Sequence, residues 1–481
     1  MAPRRLALPV LAALVALAAL APPAGAARNL GRVLLTSDDQ FAIDRGTVIY
    51  TRIGSGGRRE VVEATPSRTR VIARLPGPGG GDRFFQYEEF AASAERWIYG
   101  NALAELGEID AEDLGGRIVT GAEGDENETL LDCPSDPNVV RLAASGSAVA
   151  YQPASCPQGT ALGSGIVVRD LAPAAPVPTR TVPAAFTGRV ELAGRYLAYG
   201  VNFDEQHPPA SPERQIVVHD WVAGGEAYRV SGSDTAPLHG SAFTHHFDLQ
   251  ADGQLVSATG TQPPTAWGLP CRDNVGMATY QQSTPTAFVL PLEACQPEVR
   301  MSGGAIAFAR RFGTRGIELA TTDPSGVAAT TVARFAHAGM LRGFDYDGTT
   351  LVFTRTDCLD RVMYTEGEAP AKPPTFGVPN CPIRILSSAG RVTRGGSARV
   401  RVSCPRGCDM SIETTTYTGE KVRVVRLRPG VPRTFGFRLP DRILDSLRAG
   451  RRQRIRIVAR HNEDLPVRTR HYRRNVTILP R

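Results

Sequence analysis

Histidines and carboxylates gather in one part of the chain. Five of the eight histidines and three acidic residues lie within about 45 residues of one another. They are His207, His219, His239, His245 and His246, with Asp204, Glu205 and Asp248. Imidazole and carboxylate groups bind transition metals, so these residues could form a metal site on the loops of one structural repeat. The other interpretation is a set of surface and strand-edge histidines in a long polar loop, and we favour it.

The sequence contains none of the common catalytic motifs. A nucleophile elbow, a Ser-His-Asp context, a Walker loop, a His-x-x-x-His pair and an EF-hand loop are all missing. We therefore predict a non-catalytic binding or scaffold protein with no catalytic residue, metal or cofactor. The alternative is an extracellular hydrolase or lyase. For that alternative, His245, His246 and Asp248 are the only cluster that could supply an acid or base of suitable pKa.

Internal repetition indicates the elements that would carry such residues. Seven segments share an apolar alternating start, a turn with small or polar residues and a β-rich stretch that usually ends in an aromatic residue. They are 41–50, 90–99, 140–151, 190–199, 247–257, 299–308 and 344–353. Their ends are separated by about 45 to 58 residues, and a strand-turn-strand repeat of about 50 residues is typical of a β-propeller with one four-stranded blade per repeat. The predicted fold is all-β, a seven-bladed propeller.

Alternation within the inner strands predicts which residues face the central channel. Side chains of a strand point alternately to its two faces, so the residue between two apolar ones has the same orientation in each repeat. These residues are Ala42, Ala91, Arg141, Glu191, Asp248, Arg300 and Asp345. Five of them are charged, with both signs present. The channel would therefore suit a polar or ionic ligand, or the charges form a structural ring of salt bridges, and both interpretations stay open.

The repeats resemble a known family. The pattern Asp-Gly-x-x-Leu-Val-Phe at 347–353, Gly-x-Tyr-Leu-Ala-Tyr at 194–199 and Ile-Val-Val-Arg-Asp-Leu at 166–171 resembles the WD40-like repeats of TolB-type propellers. The resemblance covers about residues 30–380 and implies the propeller fold. It implies no activity, because propellers host hydrolases, lyases and binding platforms alike, and no catalytic residue is transferred from the family.

Ring closure and disulfides follow from the positions of the repeats. The seventh repeat lacks an outer strand, and the orphan strand 29–37 is predicted to pair with 361–365 and cover that edge. Residues 369–380 are Pro-rich and read as a semi-rigid spacer. Eight cysteines in an exported protein predict four disulfides. The predicted pairs are Cys133–Cys156, Cys271–Cys295, Cys358–Cys381 and Cys404–Cys408.

The C-terminal hundred residues differ from the rest of the chain in strand spacing and in charge. Residues 381–481 contain short strands 8–15 residues apart and one helical turn at 440–450, a pattern typical of an immunoglobulin-like β-sandwich. The stretch resembles the small Ig-like domains at the ends of secreted actinobacterial proteins. It carries 24 basic and 7 acidic residues, net +17, whereas residues 1–380 are net −10. The basic surplus binds an anionic envelope polymer, or it neutralises the acidic body by packing against it.

The N-terminus predicts export. Residues 1–26 combine Arg4 and Arg5, a run of 15 apolar residues and a small-x-small cleavage pattern, which together are typical of a signal peptide. The predicted domains are the signal peptide at 1–26, the propeller at 27–380 and the basic sandwich at 381–481. We expect a secreted or envelope-associated monomer with no transmembrane segment in the mature chain. Its expected partner is a protein or glycan ligand rather than nucleic acid.

Overall fold

The computed structural model describes most of the chain after the predicted signal peptide. The described residues are 28–33, 41–54, 59–75, 77, 83–106, 111–122, 127–133, 141–152, 165–184, 189–201, 215–231, 243–260, 275–281, 284–285, 298–323, 328–358, 361–367, 372–414, 423–427, 429–461 and 471–480. Within them the protein is nearly all β, with a single α-helix. This helix is too short to cross a membrane, and no longer apolar helix occurs in the described ranges.

The first four sheets each contain four antiparallel strands in sequence order. Sheet 1 comprises β2 (Phe41–Asp44), β3 (Thr47–Ile53), β4 (Arg59–Ala64) and β5 (Thr69–Arg74). Sheet 2 comprises β6 (Arg83–Ala92), β7 (Trp97–Leu106), β8 (Ala111–Gly121) and β9 (Glu128–Cys133). Sheet 3 comprises β10 (Arg141–Ser145), β11 (Ala148–Gln152), β12 (Gly165–Asp170) and β13 (Thr179–Pro183). Sheet 4 comprises β14 (Val190–Ala193), β15 (Tyr196–Val201), β16 (Gln215–Asp220) and β17 (Gly225–Ser231).

The next three sheets continue the pattern with two variations. Sheet 5 comprises β18 (Phe243–Leu249), β19 (Leu255–Gly260), β20 (Val275–Gln281) and β21 (Thr284–Pro285). Sheet 6 comprises β22 (Val299–Ser302), β23 (Ala305–Phe312), β24 (Gly316–Thr322), β25 (Ala329–Phe335) and a fifth strand, β29 (Thr375–Phe376). Sheet 7 comprises β26 (Leu341–Tyr346), β27 (Thr350–Thr356), β28 (Arg361–Gly367) and β1 (Arg28–Val33), and a 3₁₀ turn at Ala338–Met340 precedes it.

The inner hairpin of sheet 1 shows why these repeats fold as they do. In β2, Phe41 and Ile43 are buried, whereas the alternate residues Ala42 and Asp44 are half-buried. The strand pairs with β3 through the two-residue turn Arg45-Gly46, in which both residues have positive φ, 49° and 74°. Such a turn matches the right-handed twist of a β-hairpin, so a short alternating segment with a glycine at this point specifies the hairpin.

The inner strands form a closed ring. Each of β2, β6, β10, β14, β18, β22 and β26 lies beside the inner strand of the following sheet, and β26 lies beside β2. Apolar side chains fill the space between neighbouring sheets. At the point of closure, Phe41 and Ile43 of sheet 1 pack with Val352 and Met363 of sheet 7. The arrangement is a β-propeller.

Strand β1 completes sheet 7 from the other end of the chain. It pairs antiparallel with β28, with Arg28 opposite Thr365 and Val33 opposite Arg361. The Tyr50 hydroxyl donates a hydrogen bond to the Leu30 carbonyl oxygen, 3.1 Å away, and so ties β1 to sheet 1 as well. The predicted pairing of the N-terminal strand with 361–365 is confirmed.

The Pro-rich segment is not the spacer that its composition predicts. Residues Thr375–Phe376 form β29, which pairs in parallel with β25 at the edge of sheet 6. The Phe376 ring lies 5.3 Å from the Phe335 ring and 4.9 Å from the Tyr364 ring, measured between centroids. Proline blocks ladder hydrogen bonding only at its own position, so aromatic packing can still anchor the two residues that follow Pro374.

The C-terminal residues form two sheets on one core. A three-stranded sheet has the order β30 (Arg384–Ile385), β32 (Ser397–Ser403), β35 (Arg433–Arg438). A five-stranded sheet has the order β31 (Ala389–Arg391), β37 (His471–Leu479), β36 (Gln453–His461), β33 (Cys408–Thr414), β34 (Arg423–Leu427). Val400 and Phe435 from the first sheet pack with Ile412 and Ile457 from the second. The helix α1 (Asp441–Arg448) matches the predicted helical turn.

One disulfide joins the two parts of the chain, and a second lies within the C-terminal part. Cys358 is bonded to Cys381, and Cys404 to Cys408, as predicted. The carbonyl oxygen of Cys381 also contacts His461 Nε2 at 2.6 Å and accepts a hydrogen bond from the Tyr472 hydroxyl at 3.1 Å. For the other two predicted pairs, Cys156, Cys271 and Cys295 lie outside the described residues, and Cys133 is described only as the last backbone position of β9.

Candidate functional site

A cavity of about 550 Å³ occupies the centre of the propeller and is lined by the inner strands of all seven sheets. Seven residues were predicted to face this channel from the alternation of side chains along the inner strands. All seven line the cavity: Ala42, Ala91, Arg141, Glu191, Asp248, Arg300 and Asp345. The structure therefore brings together charged residues that are separated by up to two hundred positions in the sequence. Their role in binding a ligand is a separate question.

Arg141 lines the cavity from a different level than the pattern predicts. Val190 of sheet 4 pairs with Tyr199, and Leu142 of sheet 3 pairs with Tyr151. The structural counterpart of Glu191 is therefore Ala143, and Arg141 lies two residues earlier on the same strand face. Arg141 thus has the predicted strand face but occupies the level of Arg189 rather than that of Glu191. The segment Val-Arg-Leu at 140–142 has the same apolar-charged-apolar pattern as Val-Glu-Leu at 190–192, so pattern alone could not place it.

Two of the predicted aspartates hold neighbouring sheets together. Asp248 Oδ2 accepts a hydrogen bond from the Met301 backbone N–H at 2.6 Å, and Asp345 Oδ2 accepts one from the Ile43 N–H at 2.8 Å. In both cases the carboxylate reaches from one inner strand to the backbone of the next. These bonds satisfy strand-edge donors that a four-stranded sheet leaves unpaired, so the aspartates have an architectural role.

Two arginines, Arg189 and Arg300, form ion pairs with acidic residues of the ring. Arg300 lies between Glu191 Oε1, 3.5 Å away, and Asp345 Oδ1, 3.4 Å away, and its Nε donates a hydrogen bond to the Phe344 carbonyl oxygen at 3.3 Å. Arg189 also forms an ion pair with Glu191. Glu191 is thus shared by two guanidinium groups from different sheets. The salt-bridge interpretation of the charged ring is correct for these residues.

Three further cavity or near-cavity residues were missed from the sequence. Glu89, Arg189 and Glu298 each lie two residues before a predicted ring position, Glu89 within β6 and the other two just before their strands. Glu89 Oε1 accepts a hydrogen bond from the Leu142 N–H at 3.1 Å, and Glu298 Oε1 accepts one from the Phe344 N–H at 3.3 Å. A charge at the second residue before each ring position is the signal that could have found them.

The environment shifts the pKa of the central acids. Burial raises the pKa of Asp345 to about 6, although Arg300 and two backbone N–H groups favour the ionised form. Burial also raises the pKa of Asp248, again opposed by Arg300. Burial disfavours the charged form of Arg300, but the surrounding acids outweigh this effect and raise its pKa. The guanidinium therefore stays charged, while Asp345 titrates near pH 6.

Of the five clustered histidines, only His219 and His246 have described side chains, and these two belong to different sheets. His246 is buried, and its Nδ1 accepts a hydrogen bond from the Val299 N–H at 3.5 Å, so it joins sheets 5 and 6. Burial and the nearby arginines hold its pKa well below the usual value. His245 is the extra residue of a β-bulge in β18, and its side chain lies outside the description. His219 belongs to β16 of sheet 4, and His207, His239, Asp204 and Glu205 lie outside the described residues.

One group of potential metal ligands occurs among the described residues. Asp357, Cys358 and Cys381 are the one group whose donor atoms lie close enough to share an ion in those ranges. The two sulfur atoms are bonded to each other in a disulfide. The group is therefore a covalent junction and has no free thiolate to offer a metal.

The cavity as a whole is polar and has an acidic surplus. Six acidic residues and four arginines line it. They are Asp44, Glu89, Glu191, Asp248, Asp345 and Asp347, with Arg45, Arg141, Arg189 and Arg300. A cavity of this size is within the range that holds a small ligand, and charges of both signs can donate to and accept from one.

Comparison with known proteins gives fold likeness only. No protein-family model and no curated protein matches this sequence. Among solved structures, the β-propeller domain of the trilobed protease from Pyrococcus furiosus is 10% identical with a TM-score of 0.38, over 74% of this chain and 98% of that one. TolB from Acinetobacter baumannii is 13% identical with a TM-score of 0.32, over 68% of this chain and 64% of that one. The polysaccharide lyase Uly1 is 9% identical with a TM-score of 0.38, over 69% and 89%. The propeller architecture follows from the sheet topology of this chain.

Proposed function

We propose that this chain is a secreted, seven-bladed propeller with an Ig-like C-terminal domain, and that it works as a non-catalytic binding protein. The central cavity takes a small polar ligand, with Arg141, Glu191, Asp248, Arg300 and Asp345 around it. The observation that carries the proposal is the 550 Å³ cavity lined by charged residues from every inner strand. The acidic surplus of its lining favours a ligand with a cationic group. The basic domain keeps the protein close to anionic envelope polymers.

The contacts of the central residues favour binding over catalysis. The candidate acid–base cluster was His245, His246 and Asp248, and the two members with described side chains, His246 and Asp248, both accept hydrogen bonds from backbone N–H groups of sheet 6. A catalytic acid or base must reach the reacting group of a substrate, and the hydrogen bonds of these two residues point at the protein backbone instead. His246 is not among the residues that line the cavity.

The alternative function, a hydrolase or lyase, has one observation in its favour. Burial raises the pKa of Asp345 to about 6, and Asp345 lines the cavity. A carboxyl group that titrates near neutral pH is suited to general acid catalysis. In this alternative Asp345 would protonate a leaving group at the channel mouth.

A charge series of sugars of equal size tests the binding proposal. The probes are the disaccharides of glucosamine, N-acetylglucosamine and galacturonic acid, measured by calorimetry on the full mature chain at pH 7. We expect the cationic disaccharide to bind at least about tenfold more tightly than the anionic one. The acidic surplus attracts a cation and repels an anion, and at a partly buried site this change of sign alters the interaction energy by more than about 1 kcal/mol. Binding of none of the three, or tighter binding of the anionic one, would refute the cationic-ligand proposal.

Variants that fill the cavity locate the binding. Ala42→Trp and Ala91→Trp each place a large ring at a cavity position without removing an inter-sheet hydrogen bond. Ala223→Trp, at an exposed turn outside the cavity, is the matched control. The first two variants should abolish binding and the control should keep it, with melting temperatures reported for all three. Release of new reducing ends or unsaturated sugars by the wild-type chain would favour the enzyme alternative.

A further inference from the structure

Arginines on the outer strands of the propeller are paired with acids. Arg310 Nε lies 2.6 Å from Glu318 Oε1, and the same glutamate also binds Arg334. Arg70 Nη2 lies 2.9 Å from Glu63 Oε2. In these two sheets the partners belong to neighbouring strands, so the charges of these arginines are neutralised across the sheet. An arginine-rich composition does not by itself leave a basic surface.

The three-stranded sheet of the C-terminal part differs from this pattern. In β32, Ala398, Val400 and Val402 are fully buried, whereas the alternate residues Arg399 and Arg401 are exposed. Exposed arginines also occur on both neighbouring strands, Arg384 on β30 and Arg438 on β35. By register, Arg384 lies opposite Ser403, and Arg438 lies opposite Ser397. The four arginines Arg384, Arg399, Arg401 and Arg438 therefore share the outward face of the sheet, here named the arginine face.

Among the described residues, the guanidinium groups of the arginine face have no acidic partner. In these ranges none of the four guanidinium groups makes an ion pair or a hydrogen bond. The residues paired with the two central arginines are small: Gly436 lies opposite Arg399 and Thr434 lies opposite Arg401. No acidic residue occurs in β30, β32 or β35. The face is thus a flat strip of uncompensated positive charge.

The other sheet of this domain carries a matched pair of exposed arginines. On β36, Arg454 and Arg456 are exposed on alternate positions, as on β32. By register, Arg454 lies opposite Thr477 of β37, and Arg456 lies opposite Asn475. The pair has the same spacing as Arg399 and Arg401 but lies on the opposite sheet, which makes it a suitable internal comparison.

We propose that the arginine face binds a linear phosphodiester polymer of the cell envelope, which rests on the envelope-contact role proposed above for the basic domain. Residues two apart on a strand are about 6.6 to 6.8 Å apart, so Arg399 and Arg401 can each contact a separate anionic group of one extended chain. The planar guanidinium forms paired hydrogen bonds with phosphate oxygens. Among the described residues, Leu386 and Val431 are the exposed large apolar side chains that border β30 and β35. A membrane surface would require a larger apolar area.

The test uses the full mature chain and immobilised wall teichoic acid, at about 20 mM and about 150 mM salt. Arg399→Glu/Arg401→Glu and Arg454→Glu/Arg456→Glu change the net charge by the same amount, so they separate the face from the overall charge. At low salt we expect the first variant to lose at least about tenfold in affinity and the second less than about threefold. Raising the salt should weaken wild-type binding by about an order of magnitude, because exposed charges are screened. Arg399→Lys/Arg401→Lys, which keeps the charge but loses the paired hydrogen bonds, should bind more weakly than the wild-type chain and more tightly than Arg399→Glu/Arg401→Glu. Melting temperatures of all variants show whether the domain still folds.

The outcomes separate the claims. Equal loss in the two glutamate variants would overturn the assignment to the arginine face and leave the role of the basic domain intact. Absence of teichoic acid binding by the wild-type chain, even at low salt, would overturn both the assignment to the arginine face and the envelope-contact role of the basic domain. If the chain binds anionic phosphatidylglycerol vesicles or polygalacturonate more tightly than teichoic acid, the proposal that the ligand is a linear phosphodiester polymer is overturned. Binding of the cationic disaccharide to the cavity should be the same in all variants, so a failure of the cavity proposal appears independently.

Discussion

At the residue scale, the charged groups around the cavity do two jobs. Asp248 and Asp345 accept hydrogen bonds from the next sheet, and Arg300 joins Glu191 to Asp345. Each of these side chains also borders the cavity. Substituting them therefore changes both the ring and any ligand site, which is why the binding test above relies on alanines. Because Asp345 has both roles, its pKa is sensitive to changes in the interior of the propeller.

The pH dependence of stability should reveal Asp345. Its pKa is about 6 in the folded chain and about 3.9 when unfolded. The folded state thus binds the proton more tightly, and this contribution to stability is lost as the pH rises from about 4 through 6. Compared with Asp345→Asn, which cannot ionise, the wild-type chain should lose about 1–2 kcal/mol of relative stability between pH 5 and pH 7. Urea unfolding of both proteins at the two pH values measures it, and a constant difference would contradict the assignment.

At the element scale, β1 closes the ring and should be needed for its stability. A chain that begins at Asp38 lacks β1 and exposes the edge of β28, whereas one that begins at Arg28 keeps the pairing. Unpaired strand edges promote association. We expect the shorter chain to melt several degrees lower, by about 2 to 4 °C per kcal/mol lost, and to aggregate. Scanning fluorimetry and light scattering compare the two chains, and equal melting temperatures would mean that β1 adds nothing to the ring.

The sequence predicts the regular elements well and the irregular ones poorly. The inner hairpins, the closure by β1 and the strands of the C-terminal part follow from alternation and spacing, because each has a buried and an exposed face. The alternation does not give the level of Arg141 along its strand, since the register is set by the pairing of Leu142 with Tyr151 rather than by local pattern. Strand β29 was missed because two residues carry no periodicity, and Phe376 is held by distant aromatic rings.

For the candidate site, too, the sequence predicts the regular features better than the irregular ones. Alternation identifies which residues face the channel, but it does not show which of them are already bonded. The aspartates bind backbone N–H groups of the next sheet, and those partners are about 50 or about 300 residues away in the chain. Only the closed ring brings them together. Similarly, the histidine-rich stretch is local in sequence, yet His246 is directed into an inter-sheet contact.

At the scale of the whole molecule, the junction between propeller and C-terminal part is tightly held. The Cys358–Cys381 disulfide is reinforced by Arg406, whose Nη2 lies 2.8 Å from Asp357 Oδ1. His461 and Tyr472 contact the same Cys381 carbonyl oxygen. The junction uses few of the arginines described in the basic domain, so the charge difference between the two parts persists on the folded surface.

Removing the junction disulfide should cost more than removing the other one. Cys358→Ser/Cys381→Ser opens a loop with a sequence separation of 23, whereas Cys404→Ser/Cys408→Ser opens one with a separation of 4. In the chain-entropy model these losses are roughly 3 and roughly 2 kcal/mol. Guanidinium unfolding of the two double variants provides the comparison. A larger loss in the short-loop variant would indicate that the junction disulfide does not constrain the unfolded chain as proposed.

The closure by β1 also sets the order of events during biosynthesis. Val33 leaves the ribosome more than 300 residues before its partner Arg361, a delay of roughly 15 s to 1 min at ordinary elongation rates. During that time the first sheets can form from local hairpins, but the ring stays open and both of its ends are unpaired. Such long-range pairing is slow to form. A nascent chain of this design therefore remains incompletely folded until late in translation, and a chaperone that covers the waiting N-terminal strand would protect it at its most vulnerable stage.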